Sequence, residues 1–257
     1  MRIAVIADIH GNLVALDAVL DDLARDPFDE LICLGDVALR GPQPRECIDR
    51  LRELGCPVVM GNTDEWLLGA APAWQQPDEH DPVMAIDLWG AAQLPPEARS
   101  FLSGFRPTIE YSLGTTDGIC FFHGSPRSNS ENIFSTTPES ELEQMLDGCH
   151  ATVLVGGHTH IQMLRRKSDR TIVNVGSVGL PFLRPSLNVF DAKHLPIGPW
   201  AEYALIDCPG GRLSVNFRRV PIDLGALERS AHESGMPHAA WWFAQRDVLA
   251  GKRTYSQ

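Results

Sequence analysis

The 257-residue sequence has no stretch close to the ~18 continuous apolar residues that a membrane span requires. Its opening run, MRIAVIADIHGN, reaches Asp8 and His10 before an apolar segment long enough for a secretory signal has formed. No C-x-x-C pair occurs among the six cysteines (Cys33, Cys47, Cys56, Cys120, Cys149, Cys208). Several of them lie inside apolar runs, which argues for reduced, buried thiols rather than a disulfide framework. Positive charge is also scarce: 22 Lys and Arg against 33 Asp and Glu give a formal charge of −11. That balance argues against nucleic acid held by general phosphate attraction. An acidic chain that binds a small phosphate needs a local positive centre, such as a metal. Repeats, low-complexity tracts and long linkers are missing too. The expectation is one α/β domain over residues 1–257, cytoplasmic, with no membrane association and with a homo-oligomer left open.

What is present alternates between apolar runs and helical periodicity. RIAVIA (2–7), ELICLG (30–35) and PVVMGN (57–62) have the make-up of buried strands. Between the first two, Leu13, Leu16, Val19, Leu20 and Leu23 recur at helical spacing until Pro27. PRECIDRLRELG (44–55) is a helix with proline early and glycine late. This β-α-β-α-β order implies parallel strands. Residues 63–107 read as a largely helical insertion, including a helix over 94–105. Strands resume at 108–113, 118–123, 151–157 and 170–177, with a helix over 138–146. Residues 201–220 form a hairpin around the turn Pro209, Gly210, Gly211, and 221–257 a C-terminal helical extension.

Five of the apolar runs end in the same kind of chemistry. The first delivers Asp8 and His10, the second Asp36, the third Asn62 with Asp64 beyond it, the fourth His123, and the fifth His158 and His160. In open α/β sheets ligands bind outside the carboxyl ends of the strands, where such loops converge. Seven carboxylate, amide and imidazole groups gathered there would repel and shift one another without a cation, so the pattern points to metal. Seven exceeds the three or four ligands of a single open site, whereas two ions roughly 3.5–4 Å apart would use them all. Asp36, between the flanking groups, is the natural bridge. Nitrogen and oxygen donors without thiolate suit manganese first, with iron, nickel, cobalt, zinc or magnesium also admissible.

DIHGN, GDVALRG, GNTDE, FFHGSP and GHTH, in this order and spacing, resemble the calcineurin-like metallophosphoesterase family, closest to its small prokaryotic phosphodiesterase branch. The resemblance spans Met1 to Val220. It implies a four-layer α/β/β/α sandwich with a dinuclear centre at one end. By the family pattern Asp8, His10, Asp36 and His160 would hold one ion, and Asp36, Asn62, His123 and His158 the other. Asp36, Asn62 and His123 are expected to serve catalysis directly. The implied reaction is hydrolysis of a P–O bond by in-line attack of a hydroxide bridging two ions.

Two positions depart from the pattern. Many relatives carry His after the metal-binding Asn; here it is Thr63, which cannot protonate a leaving group near neutral pH. Arg40 stands where related protein phosphatases have a phosphate-binding arginine, and serves either that role or an ordinary surface one. Asn12 contacts substrate or caps the first helix; Asp64 orients a ligand, starts a short helix, or does both. Ser125, Arg127 and Asn129 line the site or belong to a solvated loop. His80, His150, His194, His232 and His238 fall outside the motifs, and Trp241, Trp242 and Phe243 suit a core or dimer contact more than a base-stacking platform. The expected partner is a small phosphorylated substrate, most simply a phosphodiester; a dinucleoside polyphosphate and a phosphoprotein are the alternatives. The contrasting class is a silent binding scaffold, against which the complete ligand set speaks.

Overall fold

Both faces of the first strand are apolar, and that fixes the layering. In β1 (Arg2–Ile6) Ala4 and Ile6 point one way and Ile3 and Val5 the other, and all four are buried. A strand covered on both sides needs a layer on each. Ala4 and Ile6 pack with Leu16, Val19 and Leu23 of α1 (Leu13–Leu23) and with Cys47, Ile48 and Leu51 of α2 (Pro44–Leu54). Ile3 and Val5 face Phe121, Val153, Val155 and Val173 of a second sheet. The outer face of that sheet, with Cys120, Phe122, Leu154 and Ile172, is closed by Leu142 of α6 (Glu139–Met145) and by Leu146. The architecture is a two-sheet α/β sandwich in a computed structural model that describes residues 1–70, 81–112, 118–183, 196–209 and 212–246.

The first sheet has the order β2-β1-β8-β9, with β2 (Glu30–Cys33) parallel to β1 and β8 (Trp200–Asp207) antiparallel to it. Strand β9 (Ser214–Pro221) completes the expected hairpin; its turn glycines, Gly210 and Gly211, lie outside the described residues. The second sheet has the order β3-β4-β5-β7-β6. Here β4 (Gly118–Phe121), β5 (Val153–Gly156) and β7 (Arg170–Asn174) are mutually parallel, while β3 (Ile109–Ser112) and β6 (Met163–Lys167) run antiparallel at the edges. The parallel strands deliver their carboxyl ends to one side.

The structure departs from the sequence reading in two places. The segment 57–60 is not a full strand: Val58 bridges Cys33 and Val59 bridges Arg106, after which Asn62 opens the short helix α3 (Asn62–Glu65). Asn62 therefore reaches the site from a helix start rather than a strand end. Strand β6 was not expected. Its burial alternates along MLRRK because one face of an edge strand meets solvent, and its charged residues disguise it.

The insertion contributes α4 (Pro82–Ala92) and α5 (Pro96–Leu102); residues 71–80, with His80, lie outside the described residues, as does His194. After β9 come α7 (Leu224–Glu233) and α8 (Ala239–Ala244), and 247–257 are likewise outside. Ile86 of α4, Leu180, Ile197, Leu227, Ala231 and Trp242 form one cluster, so the insertion and the C-terminal helices dock on each other. Trp242 is core, 3% exposed. All six cysteines are free, and no described helix is long and apolar enough to cross a membrane.

Candidate metal centre

Past the strand ends the chain keeps pairing. Asp8 N–H donates to Gly35 O (3.0 Å) and His10 N–H to Asp36 O (2.9 Å), so the loops leaving β1 and β2 run side by side. Gly157 N–H donates to His123 O (2.9 Å), joining the exits of β4 and β5 in the same way. Gly179 N–H and Ser177 Oγ both donate to Asp8 O, at 2.9 and 2.8 Å, tying the segment after β7 to the first loop. A Cβ on Gly157 would lie 2.8 Å from Asp8 Oδ2, so only glycine lets these loops approach.

Turning the side chains inward strains the backbone. Asp8, His10, Asp36, His158 and His160 all have positive φ, between 50° and 68°, as does Arg40 at 76°. These are six of the eight non-glycine residues in that region among the described residues. Each costs roughly 1–3 kcal/mol and persists because the surrounding hydrogen bonds over-determine it.

The donor atoms fall into two groups. Asp8, His10 and His160 bring ligand atoms within 4.8 Å of one another, and Asp36, His123 and His158 do the same. Asn62 joins the second group, its Oδ1 3.2 Å from His123 Nε2. His10 Nε2 and His160 Nε2 are 3.0 Å apart. Asp36 stands between the groups: its Oδ2 is 3.6 Å from His10 Nε2 and 3.5 Å from His123 Nε2. Its other oxygen accepts the N–H of Thr63 at 2.9 Å. In Asp8, Oδ2 accepts the N–H of His158 (2.9 Å), while Oδ1 is buried with no hydrogen-bond partner.

Three imidazoles are anchored through Nδ1 to backbone carbonyls: His10 to Leu39 (3.1 Å), His123 to Leu34 (2.7 Å) and His160 to Leu180 (2.9 Å). With Nδ1–H donating, each ring directs the Nε2 lone pair inward, the tautomer a metal ligand requires. Burial, and then His160, pushes His10 down to about 3; burial and His123 do the same to His158. Burial also opposes a charge on His123, yet Asp36 outweighs it and raises the ring to about 9. Burial works against the Asp36 carboxylate as well, but His123 and then His10 hold it well below its ordinary range. A proton on His123 thus balances the carboxylates, and a bound cation would compete for the same place. A buried, orphaned carboxylate oxygen among inward-pointing lone pairs fits a divalent ion.

Residues 1–194 match the calcineurin-like phosphoesterase superfamily domain. The chain belongs to that superfamily. This phosphoesterase is 27% identical to a metallophosphoesterase from Sphaerobacter thermophilus, with a TM-score of 0.72 over 95% of this chain and 99% of that one. It is 28% identical over 214 residues to the uncharacterized protein MJ0912 of Methanocaldococcus jannaschii, covering 76% of this chain and 84% of the relative. Over 66 residues, 24% of this chain and 23% of the other, it is 42% identical to a symmetrical bis(5'-nucleosyl)-tetraphosphatase from Baumannia cicadellinicola. It is accordingly a phosphoester hydrolase whose His/Asp cluster binds divalent metal.

The remaining residues of interest separate clearly. Asn12 is the cap of α1: Oδ1 accepts Ala15 N–H (3.0 Å) and Nδ2 donates to Gly179 O (3.2 Å). Both ends of its buried amide are committed to these contacts, which leaves neither for substrate. Thr63 is buried, its hydroxyl without a partner. Asp64 both belongs to α3 and holds the metal loop, accepting N–H bonds from Asp36 (2.7 Å), Val37 (3.0 Å) and Gly61 (3.1 Å). Arg127 and Ser125 bond to Glu131, and Asn129 to Glu65. His150, His232 and His238 are exposed.

Arg40 is held from three sides. Its Nε is 3.9 Å from Asp87 Oδ2, its guanidinium lies 6.0 Å from the Trp66 ring centroid, and its carbonyl accepts Trp242 Nε1–H at 2.6 Å. Asp87 and Trp242 were not anticipated as neighbours of the site, and nothing near them in sequence marks them. Asn174, the last residue of β7, and Ser177, just past it in NVGS, brace the loops there; the rule that strand exits carry the site could have found them.

Proposed function

We propose that this phosphoesterase hydrolyses a phosphodiester with two divalent ions, one held by Asp8, His10, Asp36 and His160, the other by Asp36, Asn62, His123 and His158. The observation that carries the reading is the pair of donor groups with Asp36 Oδ2 within 3.6 Å of an imidazole nitrogen in each. Two bound ions supply a lowered water pKa and neutralise charge on the phosphoryl group. The chain's own part is positional: backbone N–H groups hold Asp8 and Asp36, and three backbone carbonyls hold the imidazoles. Asp36, Asn62 and His123 are the residues closest to the reacting phosphate in this reading, with Arg40 as a bidentate phosphate contact.

Substrate preference follows from Thr63. A threonine hydroxyl provides no acid near neutral pH, so leaving groups that depart as weak bases are favoured. Aryl phosphodiesters meet that requirement, and so do phosphoanhydrides. The second reading, a dinucleoside polyphosphate hydrolase, is supported by the 66-residue similarity to a tetraphosphatase at 42% identity. The deciding experiment loads metal-depleted protein separately with Mn²⁺, Ni²⁺, Co²⁺, Mg²⁺ and Zn²⁺ and assays an aryl phosphodiester, an alkyl phosphomonoester and a dinucleoside tetraphosphate. Manganese is expected to give the highest activity, with kcat/KM for the aryl diester well above that for the alkyl monoester. A clear win for the alkyl monoester refutes the leaving-group argument, and activity that survives chelation refutes the metal.

A further inference from the structure

On the outer face of the second sheet, three side chains with metal-binding chemistry meet away from the centre. Glu110 on β3 is directly opposite Cys120 on β4 in the antiparallel register, and Cys149, between α6 and β5, closes the third corner. A carboxylate oxygen and the two sulfurs all lie within 4.8 Å of one another. Cys120 is fully buried and Cys149 nearly so, against Phe122, Leu142 and Leu146, while Glu110 reaches them from the exposed side.

Two touching thiols in a core are ordinary apolar filling. A carboxylate directed at them is not, because a carboxylate raises the cost of ionising either thiol. Glu110 makes no ion pair among the described residues. Meanwhile the hydrogen bond from Cys120 pulls the Cys149 thiol down to about 6, against its burial and with help from Arg170. Two sulfurs and a carboxylate therefore share one small volume. A cavity of about 290 Å³, lined by Glu143, Lys167 and Arg170, also has Cys149 in its wall.

We propose that Glu110, Cys120 and Cys149 form a separate metal site for one thiophilic divalent ion such as zinc, with the fourth position left to water. Two sulfurs and one oxygen select a softer ion than the nitrogen and oxygen donors of the catalytic centre. A bound ion would clamp the β3–β4 hairpin to the turn before β5.

Cobalt separates the two sites, since only thiolate ligation gives a strong near-ultraviolet charge-transfer band. Reduced, metal-depleted protein titrated with Co²⁺ is expected to develop that band, and added Zn²⁺ to bleach it. In Cys149→Ser the band is lost. In Glu110→Gln, an exposed position that spares the core, affinity falls about 10–100-fold, the range for loss of a supporting ligand contact. Hydrolysis of an aryl phosphodiester with manganese stays at the wild-type level in both variants, which keeps this test independent of the catalytic reading. A wild-type protein without the band, a band that persists in Cys149→Ser, or a metal-free Cys120–Cys149 disulfide as the sole thiol chemistry overturns the proposal.

Discussion

Each central carboxylate divides its labour between its two oxygens. Asp8 gives Oδ2 to the His158 N–H and Asp36 gives Oδ1 to the Thr63 N–H, which stops rotation and leaves the second oxygen facing the imidazoles. Behind them Asp64 collects three backbone N–H groups from the loops that carry Asp36 and Asn62. In Asp64→Asn one acceptor oxygen becomes a donor that faces an N–H, and the loop must shift. Metal affinity or kcat/KM should fall about 10–100-fold, as for other residues that orient ligands. A metal titration and a rate measurement check this, and wild-type values in both would dismiss the role. Arg40→Ala should raise KM more than it lowers kcat if, as proposed, the guanidinium holds phosphate before and during reaction alike. An unchanged KM excludes the contact.

At the scale of elements, helices of the insertion and of the C-terminal extension matter to the site. Helix α8 places Trp242 Nε1 on the Arg40 carbonyl, and α4 places Asp87 beside the guanidinium. Trp242→Phe keeps most of the packing and removes the bond, so its effect should be a smaller version of the Arg40→Ala rise in KM. Asp87 carries a pH dependence of its own. Burial raises its carboxyl from 3.8 to about 7, with Arg40 pulling the other way. A raised carboxyl binds its proton more tightly in the folded state. Its contribution to stability is therefore complete below pH 3.8 and lost as pH climbs through about 7. Relative to wild type, Asp87→Asn should gain on the order of a few kcal/mol between pH 4 and 8, because the amide has no proton to lose. Denaturant midpoints at those two pH values give the result, and a constant difference between the proteins would count against it.

At the scale of the whole molecule, a chain of formal charge −11 gathers carboxylates and imidazoles at one end of a sandwich. Folding confines these groups, and a cation that binds only the folded state returns the cost. Free ion at ~100-fold above Kd should stabilise the protein by about 2.7 kcal/mol. For a chain of this size that is roughly 5–10 °C in Tm. Differential scanning before and after chelation, with Mn²⁺ restored, measures it; a Tm indifferent to metal would mean the cluster holds no ion.

Much of this was legible in the residues themselves. Strands buried on both faces read as continuous apolar runs, and the chain direction alone puts Asp8, Asp36, His123, His158 and His160 past their carboxyl ends. Local rules failed where the environment, rather than the residue, sets the structure. Strand β6 carries Arg165 and Lys167 on its less exposed face because Glu139 and Glu143 pair with them there, and 57–60 stops short of a strand because α3 begins at once. Periodicity and backbone chemistry are carried by neighbours in sequence, so the alternation of strands and helices and the set of donor residues follow from order alone, whereas the sandwich is what the family resemblance implies. Which oxygen of Asp36 faces inward, what holds Arg40, and that Glu110 meets two cysteines depend on contacts between residues far apart in the chain. Only tertiary packing decides those.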